Sequence, residues 1–244
     1  MPVIGTQQSP IKIETKDTIA IAKPTDLFRI EYKDQDYRGT LVGASPTHRN
    51  FELDKPTAAK PAPTVYFHGK TFELRRIHIH YKSEHLIDSD NQSDYELHLV
   101  HLQRVDPTEK QFSVPKLVIG ILYREDAAGN SGGGLERFNE MLSVRKNTGA
   151  SLKHIKSSEK KVVELFNPLA FFPRLGKSKK PDLVNWFHYE GSLTTEPYSE
   201  DVSWIVMKNE SKIDPAKVDK LEEYAEQEAR PIQSLDRRII LRSF

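Results

Sequence analysis

The sequence predicts a mainly β protein with few helices, and three observations carry that reading. Five short runs are rich in β-branched and aromatic residues: Thr64–Phe67, Phe72–Tyr81, Tyr95–Leu102, Lys116–Tyr123 and Val202–Met207. Turn-forming clusters such as Gly129-Asn130-Ser131-Gly132-Gly133-Gly134 separate such runs. Helical spacing of apolar residues is visible in only two places. With 244 residues, the chain is long enough for one large domain or two small ones, and for a sizeable core in either case.

Taken in order, each element has a local reason. The segment Arg76-Ile77-His78-Ile79-His80-Tyr81 alternates, so a strand there sets Arg76, His78 and His80 on one face and Ile77, Ile79 and Tyr81 on the other. The run from Tyr95 sets Glu96, His98, Val100 and Leu102 on one face, with Leu97, Leu99 and His101 opposite. One helix is expected from Leu135 to about Lys146, with Leu135, Phe138, Met141 and Leu142 at helical spacing. A second is expected from Asp214-Pro215, an N-cap followed by proline at the first helical position, with Val218, Leu221 and Tyr224 turned inward. No internal repeat is visible. The lysine-rich stretches Lys153–Lys161 and Lys177–Lys180 read as solvated loops, since acidic residues elsewhere balance them.

Composition excludes several classes of function. Lysine and arginine number 36 against 35 acidic residues, a formal net charge of +1. There is no global basic field, which disfavours nucleic acid or an anionic membrane as the main partner. No apolar run approaches the roughly 20 residues that span a bilayer. Cysteine is absent, which removes disulfides, cysteine–zinc sites and thiol nucleophiles. The opening Met1-Pro2-Val3-Ile4-Gly5 lacks the basic and apolar regions of a signal peptide, so either a cytosolic protein or a trimmed one is expected.

The histidines point to chemistry. Two imidazoles on one face, two residues apart, and a third from a neighbouring strand can supply three corners of a tetrahedron, the pattern of a catalytic zinc site with its fourth position open. Glu96, one strand period before His98, is placed to accept the free ring N–H of His98 and fix its orientation. His-x-His by itself is a weak motif, and His101 reads as a satisfied core histidine.

Five motifs occur in a specific order. They are Gly5-Thr6-Gln7-Gln8-Ser9-Pro10-Ile11, His78-Ile79-His80, Ser83-Glu84-His85-Leu86-Ile87-Asp88, Glu96-Leu97-His98-Leu99-Val100-His101 and Gly191-Ser192-Leu193-Thr194-Thr195. The tail Arg230-Pro231-Ile232-Gln233-Ser234-Leu235 follows them. This arrangement closely resembles the α-class carbonic anhydrases.

The resemblance implies a single domain over residues 1–244, built on a large central, mostly antiparallel twisted sheet with a few surface helices. It implies a zinc cofactor held by His78, His80 and His98, with Glu96 supporting the third. It implies that Thr194 accepts a hydrogen bond from zinc-bound hydroxide and donates one to buried Glu84. Thr195 then lies at the substrate edge, and Val100, Val118, Leu193 and Trp204 form an apolar wall for carbon dioxide. The implied activity is reversible hydration of carbon dioxide to bicarbonate, with ester hydrolysis as a side activity of the same site. The alternative is a binding or adhesion module that kept the fold and lost activity. A homodimer and a periplasmic or secreted location are further expectations, with the cytoplasm as the alternative compartment.

The chain also departs from the family pattern. It begins almost at the Gln-Ser-Pro motif, without the usual N-terminal aromatic segment. Tyr198 stands where many bacterial and secreted members carry a cysteine. His48 lies near the expected proton-shuttle histidine, about one residue out of register. Arg76 and Tyr81 replace the usual glutamine and tryptophan, and strand alternation directs Arg76 to the histidine face as a positive charge beside the metal.

Overall fold

Alternation of side chains along extended backbone organises the whole molecule, because its widest strands are buried on both faces. The computed structural model describes residues 5–45, 48–105, 114–129, 133–146, 163–176, 180–225 and 229–244. In chain order the strands are β1 (Lys12–Ile13), β2 (Ile19–Ala20), β3 (Phe28–Glu31), β4 (Tyr37–Ser45), β5 (His48–Leu53) and β6 (Thr64–Phe67). They continue as β7 (Lys70–Tyr81), β8 (Leu86–Ile87), β9 (Tyr95–Gln103), β10 (Lys116–Glu125), β11 (Val163–Phe166) and β12 (Arg174–Leu175). The last are β13 (Lys180–Pro181), β14 (Trp186–Gly191), β15 (Val202–Met207), β16 (Ser211–Ile213) and β17 (Leu241–Arg242).

Thirteen of these strands form one sheet, whose main path runs β11-β4-β5-β7-β9-β10-β15-β14-β17-β2. Strand β6 joins β7 and carries β3, while β16 pairs with β10. Most neighbours are antiparallel, as expected, but β10–β15, β10–β16 and β17–β2 run parallel. The sheet is therefore mixed, and its centre, β10, has an antiparallel neighbour on one side and a parallel one on the other. The five runs read as strands fall within β6, β7, β9, β10 and β15.

The two faces bury separate apolar clusters. Ile77, Ile79, Leu97, Leu99, Leu117, Ile119 and Ile205 point into the larger one. Val100, Val118, Leu122, Val202, Trp204 and Val206 point into the other. Between Leu74 and Arg76 the pairing of β7 with β9 shifts register. This irregularity lets Leu74 and Ile77, three residues apart, share the larger cluster. Strict alternation would have put them on opposite faces.

Among the described residues the α-helices are α1 (Pro24–Leu27), α2 (Gly134–Lys146) and α3 (Leu221–Tyr224). The α2 helix matches its expected span, with Leu135 and Phe138 buried; the side chains of Met141 and Leu142 lie outside what is described. The helix expected from Asp214 is instead interrupted. Asp214 caps as foreseen, accepting from the Ala216 N–H at 3.0 Å, but only the 3-10 turn Pro215–Lys217 follows before the backbone leaves helical geometry at Val218. Asn139 of α2 explains the break. Its Oδ1 accepts from the Lys220 N–H at 2.9 Å, and its Nδ2 donates to Asp219 at 3.1 Å. The first of these takes a backbone N–H that would otherwise bond within a helix, and α3 starts only afterwards. Val218 and Leu221 are buried as expected. The stretches Lys153–Lys161 and Lys177–Lys179 lie outside the described residues. Among the described residues, no helix is long and apolar enough to cross a membrane.

Stability should follow the doubly buried strands. Leu99, fully buried in β9, should cost about 2–5 kcal/mol when changed to alanine. Ile239→Ala, at a residue 62% exposed, should change stability by no more than about 0.5 kcal/mol. Urea unfolding of the two variants checks this, and equal effects would contradict the assigned core.

Candidate metal centre

Cross-strand register assembles the site. Strands β7 and β9 pair so that His78 faces His98, His80 faces Glu96 and Arg76 faces Val100. Strand β10 then sets Gly120 opposite His98 and Val118 opposite Val100, and β15 sets Trp204 opposite Val118. Two rows result on one face of the sheet. One carries the histidines; the next, one pleat away, runs Arg76, Val100, Val118, Trp204.

The three imidazoles converge. Ring centroids are 5.1 Å apart for His78 and His80, 4.9 Å for His78 and His98, and 4.6 Å for His80 and His98. Their donor atoms all lie within 4.8 Å of one another. His98 Nδ1 and His78 Nε2 are 3.1 Å apart. Two corners of a tetrahedron drawn around zinc with its usual bond lengths to nitrogen would be separated by about 3.3 Å. His80 and His98 are almost fully buried, and His78 is partly so.

Glu96 decides which nitrogen of His98 is free. Its carboxylate, fully buried, accepts from His98 Nε2 at 2.9 Å and from His85 Nδ1 at 2.6 Å through Oε1. Through Oε2 it accepts from the backbone N–H groups of Glu84 and His85 at 2.9 and 2.8 Å. Burial alone would raise the carboxyl pKa, but the paired imidazoles His85 and His98 outweigh it and hold Glu96 well below the carboxylate range. An ionised carboxylate only accepts, so His98 keeps its proton on Nε2 and presents the Nδ1 lone pair to the other two histidines. Burial, and then the nearby His80, lower the pKa of His98 and favour the neutral, ligating form. Donor chemistry, convergence and tautomer thus fit a zinc ion. A second cluster, His85, Glu96 and His98, is equally tight, but hydrogen bonds already join its members.

The remaining expected residues are placed as follows. Glu84, buried beside the triad, has Oε2 at 3.5 Å from His80 Nε2 and 3.9 Å from His98 Nε2. Its Oε1 accepts from the Arg230 backbone N–H at 3.3 Å, while Oε2 has no hydrogen-bond partner among the described residues. Thr194, 8% exposed, follows β14 in a loop closed by bonds from Leu193 N–H to Ser199 O and from Tyr198 N–H to Thr195 O, at 3.0 and 2.9 Å. No described hydrogen bond joins Thr194 to Glu84. Val100, Val118 and Trp204 pack in one apolar cluster with Leu193 against it. His48 begins β5, and its side chain lies outside what is described. Arg76 is partly buried and has no ion pair among the described residues. The acids Glu73 and Asp94 are engaged elsewhere, Glu73 by Arg75 and Arg104 and Asp94 by Lys82, while Glu52 lies directly across the sheet from Arg76. His101 is a satisfied core histidine: Tyr32 Oη lies 2.5 Å from Nε2, Nδ1 donates to Leu117 O at 3.0 Å, and burial pushes its pKa down to about 4.

A match to the family described as eukaryotic-type carbonic anhydrase covers residues 3–244. The chain belongs to that family. A carbonic anhydrase of Nostoc sp. is 25% identical over 238 residues, covering 98% of this chain and 76% of that protein. Dioscorin DB3L of Dioscorea polystachya is 28% identical over 243 residues, covering 97% and 75%. The solved α-carbonic anhydrase of Photobacterium profundum superposes with a TM-score of 0.66 at 25% identity, over 98% of this chain and 90% of that one.

Within this carbonic anhydrase fold, several supporting residues were not assigned roles from sequence. His85 sits between Glu96 and Tyr189, with Nε2 2.7 Å from Tyr189 Oη, and Trp204 packs edge-on against both His85 and His98. Ser9 and Ser192 exchange reciprocal bonds from backbone N–H to side-chain oxygen at 2.9 and 3.0 Å. Arg230 donates to Ser9 O at 2.6 Å and lies 3.9 Å over the ring of Tyr198. Gly120 leaves room for Glu96, since a Cβ there would stand 2.8 Å from Glu96 Oε1. An isolated glycine in an apolar strand was the available signal for such a close approach.

The crowding at Gly120 makes a sharp test. Gly120→Ala must displace a carboxylate held by four hydrogen bonds, so it should cost about 1–3 kcal/mol and weaken zinc binding about 10–100-fold. Denaturant titration and competitive metal titration measure the two effects. An alanine variant matching the parent in both would show that the carboxylate position does not matter.

Proposed function

We propose that this chain is a zinc-dependent carbonic anhydrase that interconverts carbon dioxide and bicarbonate. The observation that carries the reading is the convergence of three imidazoles, one of them held in the ligating tautomer by a buried carboxylate. Membership of the family supports it.

His78, His80 and His98 would hold the ion through neutral nitrogens. When bound, zinc lowers the pKa of a coordinated water to about 7, the figure known from carbonic anhydrase itself, and so supplies a nucleophile at neutral pH. The chain's own residues provide the surroundings. Carbon dioxide is small and uncharged, so Val100, Val118, Leu193 and Trp204 give it a dry resting place beside the histidines.

In this proposal the Thr194 hydroxyl donates to Glu84 Oε2, a buried acceptor with no hydrogen bond among the described residues. A hydroxyl that donates to a carboxylate presents only lone pairs to the cavity, and so orients a reactant that has a proton to give. Thr195 borders the same space. The His48 imidazole is proposed to carry the released proton to buffer, a task for which imidazole chemistry is suited. A periplasmic or secreted location belongs to the same proposal and rests on the family.

The alternative, a carbonic anhydrase-like binding or adhesion module that kept the fold and lost activity, would not hydrate carbon dioxide even when supplied with zinc. Stopped-flow hydration by zinc-loaded protein distinguishes the two. His98→Ala should abolish hydration and lose tight zinc retention on dialysis; full activity in that variant would sink the site assignment. Thr194→Ala should keep its zinc yet slow hydration by about ten- to a thousandfold, the range for removing one oriented polar contact. Glu84→Gln should act in the same direction, and a parental rate in both would break the relay.

A further inference from the structure

Next to the histidine row, but lined by none of its histidines, the sheet carries a second concavity. A cleft of about 680 Å³ opens where β5, β7 and β9 meet, in the size range that accommodates ligands of many atoms. Its floor is apolar, made by Val100 and Leu102 of β9 with Leu53 and Pro56. Its rim is charged, with Lys55, Arg75 and Arg76 against a single acid, Glu52.

The pairing state of these charges is informative. Arg75 is bound to Glu73, which Arg104 also contacts. Lys55 and Arg76 form no ion pair with any described residue, and neither does Glu52, although it lies directly across the sheet from Arg76. Two cationic side chains therefore border an apolar floor without an ion pair to any described residue, and Glu52 is the one acid on the same lining. The irregular pairing between Leu74 and Arg76 puts two consecutive arginines on the same cleft, where regular alternation would have separated them.

We propose that this cleft is a binding site for an organic carboxylate with a flat apolar body. The Arg76 guanidinium, whose planar fork matches a carboxylate, holds the head. Lys55 adds charge, and the body rests on Val100 and Leu102. Glu52 disfavours a doubly charged head such as a phosphate monoester. Val100 belongs to both the cleft and the apolar wall near the histidines, so an occupant also narrows the approach to them. Binding itself does not depend on the proposed hydration activity.

Titration with 2-naphthoate, followed by its fluorescence and by calorimetry, tests the proposal, with neutral 2-naphthamide as control. Expected is saturable binding of one naphthoate per chain, clear discrimination against the amide, and Kd raised about tenfold or more by Arg76→Gln. Lys55→Gln, at an exposed position, should weaken binding in the same sense. Glu52→Gln should tighten it. Each titration is repeated after chelator treatment, because a carboxylate could otherwise sit on a metal; binding that survives the chelator supports the cleft. Failure to saturate, equal affinity for acid and amide, indifference to both cation substitutions, or loss of binding with the metal would each overturn it.

Discussion

The buried carboxylate of Glu96 is the interaction on which the rest of the site depends. A charge fully removed from water is costly unless its lone pairs are met, and here four donors meet them. Those donors are two backbone amides of the loop between β7 and β8, the imidazole of His85 in that loop and the imidazole of His98 on β9. One carboxylate therefore anchors the loop bearing Glu84, orients His85 against Tyr189, and selects the tautomer of His98. Removing any donor would leave the charge short of a partner, so these groups are mutually constrained.

The sheet supplies what a carboxylate cannot. Rows of side chains one pleat apart are separated by about 7 Å along a strand, enough to keep a polar row and an apolar row distinct yet adjacent. Arg76, Val100, Val118 and Trp204 line up across four strands next to the histidines. Both faces of these strands are covered, which excludes water and strengthens every polar contact within. The row ends at β5 in the cationic cleft, so one register determines both the apolar wall and the charged rim.

Distant parts of the chain complete the enclosure. Ser9 and Ser192 bind each other reciprocally across 183 residues of sequence. Arg230 ties the same N-terminal segment to Glu84 through a side-chain bond to Ser9 O and a backbone bond to the carboxylate. Gly191 permits the first of these closures, because a Cβ there would lie 2.2 Å from Ser9 Oγ. The motifs near both ends of the chain are thus parts of one contact network around the centre.

Local periodicity was enough to read the five principal strands, the shared face of His78 and His80, the cap at Asp214 and the core role of His101. Each follows from backbone geometry over a few residues, which the sequence carries directly. It could not say which strands pair, or in what register, because such pairing is decided by contacts far apart in the chain. That is why the facing of His78 and His98, the space that Gly120 leaves for Glu96, and the bridging place of His85 appear only in the folded protein. The irregularity before Arg76 belongs here too, since alternation predicts no break and only packing of both Leu74 and Ile77 into one core demands it. The helix expected after Asp214 failed for the same reason: Asn139, on another element, took the Lys220 backbone N–H that a local pattern had assigned to the helix. Residue chemistry was determined by the sequence alone; the distances that turn three histidines into one site were decided by tertiary structure, through a strand register that no local pattern encodes.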